Sequence, residues 1–171
     1  MKKTLTVFYL FLFTFFMLLS DNYAQSLDRA IGESAPDFTI KDMSGKDVTL
    51  SSFNGRPVLL NFWATWCPYC RKERPYLKSL HEEYKNKDLV IIAVSIDRSS
   101  GTIENYMKQN PAPYIVLTDP EGIAAVPYNV MSLPTTYLID RNGKIGRKFM
   151  GMVDWTDRNV KEYINNLIKQ K

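Results

Sequence analysis

Apolar residues along the chain fall into blocks whose length and spacing change. The first is an almost unbroken apolar run from Leu5 to Leu19, preceded by Lys2 and Lys3 and followed by Ser20, Asp21 and the small residue Ala24. Lysines, an apolar run and a small residue form the pattern of a secretory signal. The run is shorter than the roughly 20 residues that span a bilayer, so cleavage after Ala24 is favoured. An uncleaved anchor is the second reading, because Asn22-Tyr23-Ala24 has its small residue beside the cut but not two before it. Residues 1–24 are therefore assigned as signal or anchor and residues 25–171 as one domain.

Within that domain the pattern alternates between short apolar runs and helical spacing. Asp37 to Lys41 and Val48 to Leu50 read as short strands separated by the turn Ser44-Gly45-Lys46. Val58 to Trp63 is nearly all apolar, as a strand buried on both faces must be. Cys67 and Pro68 then open a helix, with Leu77, Leu80 and Tyr84 on one face and Pro75 expected to kink it. Leu89 to Ile96 is a second buried strand, followed by a helix from Thr102 or Ile103 to Gln109 and a short strand from Tyr114 to Leu117. Asp119 is placed to cap a turn of helix from Pro120 to Val126. Thr135 to Ile139 and Ile145 to Phe149 flank Asn142-Gly143, a hairpin signal. A last helix is expected from Trp155 to Ile168, with Val160, Tyr163, Ile164 and Leu167 inward. Parallel crossovers followed by a hairpin predict an α/β domain, its mixed sheet covered by helices on both faces.

Composition narrows the chemistry more than the fold. The formal charge of +4 is scattered and forms no basic run with interleaved aromatics, which argues against nucleic acid as a partner. The two cysteines, Cys67 and Cys70, stand in one C-x-x-C, too few for a disulfide framework. The single histidine, His81, leaves two thiolates without the further ligands a zinc site takes, so no metal is expected. Covalent haem is disfavoured because Arg71 stands where C-x-x-C-H needs histidine. Redox chemistry on the two sulfurs, with no other cofactor, is the remaining reading.

A thiol reacts as its thiolate, and a helix N-terminus stabilises that anion through unpaired N–H groups and the helix dipole. Cys67 is therefore the attacking residue. Cys70, one turn deeper, resolves the mixed disulfide by attacking the Cys67 sulfur. A purely structural bridge is the weaker reading, because so short a loop gives little stabilisation. Pro68 and Tyr69 hold the helix start and line a substrate surface; Trp63 reads as core and Trp66 as a shield over the sulfur. Pro134 directly precedes an apolar strand, where a proline forfeits a ladder bond. A cis Leu133-Pro134 bond would turn the Leu133 backbone toward Cys67, to pair with an extended substrate chain.

VLLNFWATWCPYCRKERP at Val58 to Pro75 resembles the thioredoxin superfamily, and within it the exported TlpA/ResA-like thiol-disulfide oxidoreductases. Gly32 to Phe38 looks like the lead-in shared by that branch and the peroxiredoxins, Ser132 to Asp140 like the cis-proline segment, and Asn142-Gly143 like the following hairpin. The resemblance implies a thioredoxin fold with a short N-terminal β extension and a central insertion. It also implies a monomer in the periplasm or cell envelope that reduces oxidised protein thiols, with cytochrome c maturation or envelope thiol homeostasis as its setting, recharged by a membrane electron-donor protein. Two positions depart from family patterns. Asn61 stands where thioredoxin has a buried aspartate, and Arg98 where some members place a glutamate. Glu73, one turn beyond Cys70, and Asp97, ending a buried strand, are the candidate proton acceptors. For each the plainer reading is a solvated surface acid.

Two other classes compete with a reductase. A thiol peroxidase shares the Ala35 to Phe38 lead-in, but peroxiredoxins carry a threonine three residues before the reactive cysteine, where this chain has Ala64. A copper-carrying or cytochrome-assembly binding protein of thioredoxin fold would need a histidine at the site, and His81 lies three turns along the helix from Cys67.

Overall fold

The computed structural model describes residues 31–169. The signal or anchor assigned to residues 1–24 lies outside them. β1 (Thr39–Lys41) and β2 (Asp47–Thr49) form a two-stranded antiparallel sheet. The main sheet contains β3 (Val58–Trp63), β4 (Val90–Ser95), β5 (Ile115–Thr118), β6 (Thr135–Ile139) and β7 (Ile145–Met150), in the order β5-β4-β3-β6-β7. β3 pairs parallel with β4 and antiparallel with β6, so the sheet is mixed and β3 is its centre. All six β3 side chains are buried, which is why its sequence does not alternate.

Three α-helices complete the domain: α1 (Pro68–Tyr84), α2 (Ser100–Gln109) and α3 (Arg158–Lys169). α1 runs uninterrupted through Pro75, whose ring is on the exposed side. α3 starts three residues later than the apolar spacing predicts, because Asp157 Oδ1 accepts from the N–H groups of Asn159 (2.8 Å) and Val160 (3.2 Å) and caps it there. Trp155, expected as the first helical residue, is fully buried in the preceding turn.

Alternation along the strands divides the core in two. Leu59 and Trp63 of β3 pack with Ile91, Ala93 and Leu138 against Leu77, Leu80 and Tyr84 of α1, Ile103 of α2, and Ile164 and Leu167 of α3. Leu60 and Phe62 face the other way, onto Phe38, Ile40, Leu50, Ala124 and Tyr128. Among the described residues the three α-helices share one face of the sheet, and a short 3-10 helix, Leu50–Phe53, packs on the other, with Leu50 in the second core. The opposite face is covered by the β1–β2 extension and by turns between Pro120 and Asn129. Those turns replace the helix expected after Asp119. Asp119 Oδ2 does accept from the N–H groups of Ala124 (3.1 Å) and Ala125 (2.8 Å), but Gly122, at φ +75°, interrupts helical backbone between cap and turn.

The register brings the chemistry to one edge. Because β6 runs antiparallel to β3 with Phe62 opposite Thr135, the residue before Thr135 is level with the end of β3. Pro134 and the Ala64–Cys67 turn therefore meet at the same end of the sheet. The Leu133-Pro134 peptide is cis.

Candidate active site

The turn out of β3 is held from beneath by Asp97. Its Oδ2 accepts from Thr65 N–H (2.9 Å) and Ser95 Oγ–H (2.6 Å), and its Oδ1 from Thr65 Oγ–H (2.8 Å). Buried, and bonded to Thr65 of the turn before Cys67 and to Ser95 of β4, Asp97 is a brace, which corrects both readings of it, surface acid and proton acceptor. Cys67 follows as the N-cap of α1, and its Sγ accepts from Cys70 N–H at 3.1 Å. Pro68 takes the first helical position, where its missing N–H has no partner to lose. Cys67 and Cys70 form a disulfide, with Cys70 the deeper sulfur as expected.

Trp66 and Tyr69 flank this disulfide and are 64% and 61% exposed. Trp66 is thus a surface aromatic beside the disulfide. Cys67 is only 4% exposed in the disulfide form. Met131, Met150 and Met152 are also exposed, around the Pro134 end of β6 and β7. Leu133 is half-buried and packs against both cores.

Behind the disulfide is a buried carboxyl. Glu73 is completely shielded from solvent, contrary to the surface reading. Its Oε1 accepts from Val153 N–H (3.0 Å) and Trp155 Nε1–H (2.9 Å), and its Oε2 from Asn61 Nδ2–H (3.1 Å), which also donates to Thr136 Oγ1 (2.8 Å). Burial pushes its pKa up from 4.5 to about 7, against the downward pull of the three donors. On the same turn, Arg74 is buried with no acid in ion-pair reach among the described residues. Its guanidinium stacks on Trp63 at 4.6 Å and Tyr106 at 5.3 Å, and donates to the Asn110 carbonyl at 2.8 Å. Sequence reasoning missed Arg74, Val153 and Trp155. Glu73 and Arg74 had a usable signal, since both fall on the buried face of α1 one turn beyond Cys70. Val153 and Trp155 had none, lying 80 and 82 residues from Glu73. His81 lies away from the sulfurs, edge-on to Tyr114.

A five-stranded mixed sheet with a C-x-x-C at the start of its central helix defines a thioredoxin-fold redox protein. Residues 31–148 match the AhpC/TSA family, and the chain belongs to that family. Among its relatives is the thiol-disulfide oxidoreductase ResA of Bacillus cereus, 36% identical over 152 residues, 89% of this chain and 87% of that protein. ResA of Bacillus subtilis is 36% identical over 81% of this chain and 75% of its own. In structure the chain is similar to a DsbE-like thiol:disulfide interchange protein from Chlorobium tepidum, with a TM-score of 0.76 and 34% identity over 81% of this chain and 97% of the other. The enzyme is a thiol-disulfide oxidoreductase of the ResA-like branch, as its motifs imply.

Proposed function

We propose that the protein is an exported reductase of protein disulfides. Reduced Cys67 attacks one sulfur of a substrate disulfide as its thiolate; that S–S bond breaks and the other substrate sulfur leaves with the electron pair. Cys70 then gives its proton to Glu73 and attacks the Cys67 sulfur. The mixed disulfide breaks, and the second substrate thiol departs. Two electrons have passed to the substrate, the Cys67–Cys70 disulfide remains, and a membrane electron-donor protein re-reduces it through its own dithiol. The electrons travel on sulfur alone, so the scheme uses no other cofactor.

The observation that carries this reading is the placement of Glu73. A carboxyl one turn beyond Cys70 with a pKa near 7 matches the operating pH, where a general base is most effective. Exposed Trp66 and Tyr69, with half-buried Leu133 and exposed Met131 from the segment before β6, offer an apolar surface for an extended protein chain. A peroxidase role is disfavoured, since Ala64 has no hydroxyl for peroxide and Thr65 Oγ–H is committed to Asp97. Export is supported by Lys2, Lys3 and the Leu5 to Leu19 run. Cytochrome c maturation is one setting that fits a reductase so placed.

A Cys70→Ser variant expressed in its native envelope should accumulate mixed disulfides on Cys67, and the trapped partners name the substrates. The wild-type potential should lie between about −270 and −180 mV, the values of thioredoxin and disulfide isomerase. A chain that traps nothing and consumes peroxide would overturn the reading. Mass analysis of the mature protein should find Gln25 as its first residue.

A further inference from the structure

All three hydrogen-bond partners of Glu73 are donors: Asn61 Nδ2–H, Val153 N–H and Trp155 Nε1–H. Indole and backbone N–H groups cannot accept. A carboxylate satisfies this cage, and its charge strengthens the bonds from Val153 and Trp155; a protonated carboxyl can place its O–H only on Asn61, by turning that amide, and leaves the two segment donors on a neutral oxygen with weaker bonds. Two of the three donors belong to the segment between β7 and α3. That segment reaches the substrate side of the site, because Gly151 N–H donates to the Pro134 carbonyl at 2.8 Å, and Met150 and Met152 are exposed beside it.

We propose that the Gly151–Trp155 segment is a proton-operated clamp, held against the active-site helix by the Glu73 carboxylate through Trp155 and Val153 and loosened when Glu73 takes the Cys70 proton. Trp155 is its positioning residue. The proposal rests on Glu73 as the acceptor of that proton. In the resolving step the Cys70 sulfur bonds to Cys67, the Cys67–substrate bond breaks, the electron pair leaves on the substrate sulfur, and the proton arrives at Glu73. Loosening of Gly151–Trp155 then coincides with substrate release, and return of the proton to solvent resets the clamp.

The surrounding groups leave Glu73 to act alone. On its own helix Arg74 turns to Trp63 and Tyr106, and Cys70 is in the disulfide. β3 and β6 bring only the uncharged Asn61 and Thr136. In the segment itself Asp154 is exposed and bonded to Thr156, and burial holds the Tyr114 hydroxyl un-ionised. Arg147 of β7 stacks on Phe149 and Tyr163, and Phe149 in turn on Trp155. None of these forms an ion pair with Glu73.

The test uses the oxidised protein, in which no thiol titrates. The Trp155 indole N–H resonance should move with pH with a midpoint near 7, and amide protection of Gly151 should fall about tenfold as Glu73 protonates. Both effects should vanish in Glu73→Gln. A Trp155 resonance flat between pH 5 and 9, or a Gly151 protection change that survives Glu73→Gln, would overturn the clamp. In the reduced protein, Trp155→Phe removes one donor to the carboxylate and should move the pH profile of mixed-disulfide resolution upward by about one unit. An unmoved profile in that variant also counts against the clamp. The underlying reading fails differently: resolution in Glu73→Gln would keep the wild-type pH profile, whatever the resonances of the oxidised protein show.

Discussion

Glu73 is neutral below its raised pKa and charged above it, and burial opposes only the charged form. Its carboxyl has a folded pKa of about 7 against 4.5 when exposed, so its contribution to stability is fully present below pH 4.5 and is lost as pH rises through 7. That window corresponds to about 3 kcal/mol. Urea denaturation of oxidised wild type and Glu73→Gln between pH 4.5 and 8 should show the wild type losing stability relative to the variant as pH rises. Parallel curves would mean that Glu73 titrates normally. Asp97 serves the turn before Cys67, with three donors from Thr65 and Ser95 converging on it. Replacing it by alanine leaves those donors buried without a partner, and Asp97→Ala should lower unfolding free energy by about 3 kcal/mol in a denaturant titration. In the sequence Asp97 ends an apolar run and Glu73 stands among charged residues of a helix, and neither setting says what the acid bonds. What separates them is the partner set, and the partners of Glu73 come from residues as distant as Trp155.

At the scale of elements, the strands and the start of α1 were legible because local chemistry dictates them. β3 is the strand its all-apolar run predicts, and α1 begins where Cys67 and Pro68 place it. The segment after β5 was not, because its polar and apolar residues fit a helical turn as well as the observed turns. Two side-chain bonds from Asp119 hold that segment over the second core. Asp119→Ala should destabilise it by about 1–3 kcal/mol, and hydrogen exchange should accelerate first at Ala124 and Ala125. Acceleration spread evenly over β3 and β4 would show that the turns do not open as a unit. The late start of α3 has a similar origin: apolar spacing reaches Trp155, but the cap belongs to Asp157, and the cap decides.

For the whole molecule, two cores on opposite faces of one sheet hold the fold, and the disulfide adds little. Cys67 and Cys70 are three residues apart, and closing so short a loop removes only about 2 kcal/mol of unfolded-chain entropy. Reduction should therefore leave the circular dichroism spectrum unchanged and lower the denaturation midpoint slightly. Unfolding on reduction would make the bridge structural. The thioredoxin-type sheet and the cysteine pair could be read from the chain; the gathering of all three α-helices on one face could not, because alternation assigns residues to faces without saying which element covers each face. One arrangement at the far end of that sheet also bears on how the enzyme would meet its surroundings. Gly32 N–H donates to the Ile145 carbonyl and Ala35 N–H to the Gly143 carbonyl, so the chain enters at the β6–β7 turn. That is the opposite end of β3 from Trp63 and the cysteines, about 17 Å away along six strand residues. Any attachment made through the residues before Ile31 would therefore take hold of the molecule by its rear, leaving the disulfide pointing outward and free to sweep past bulky clients.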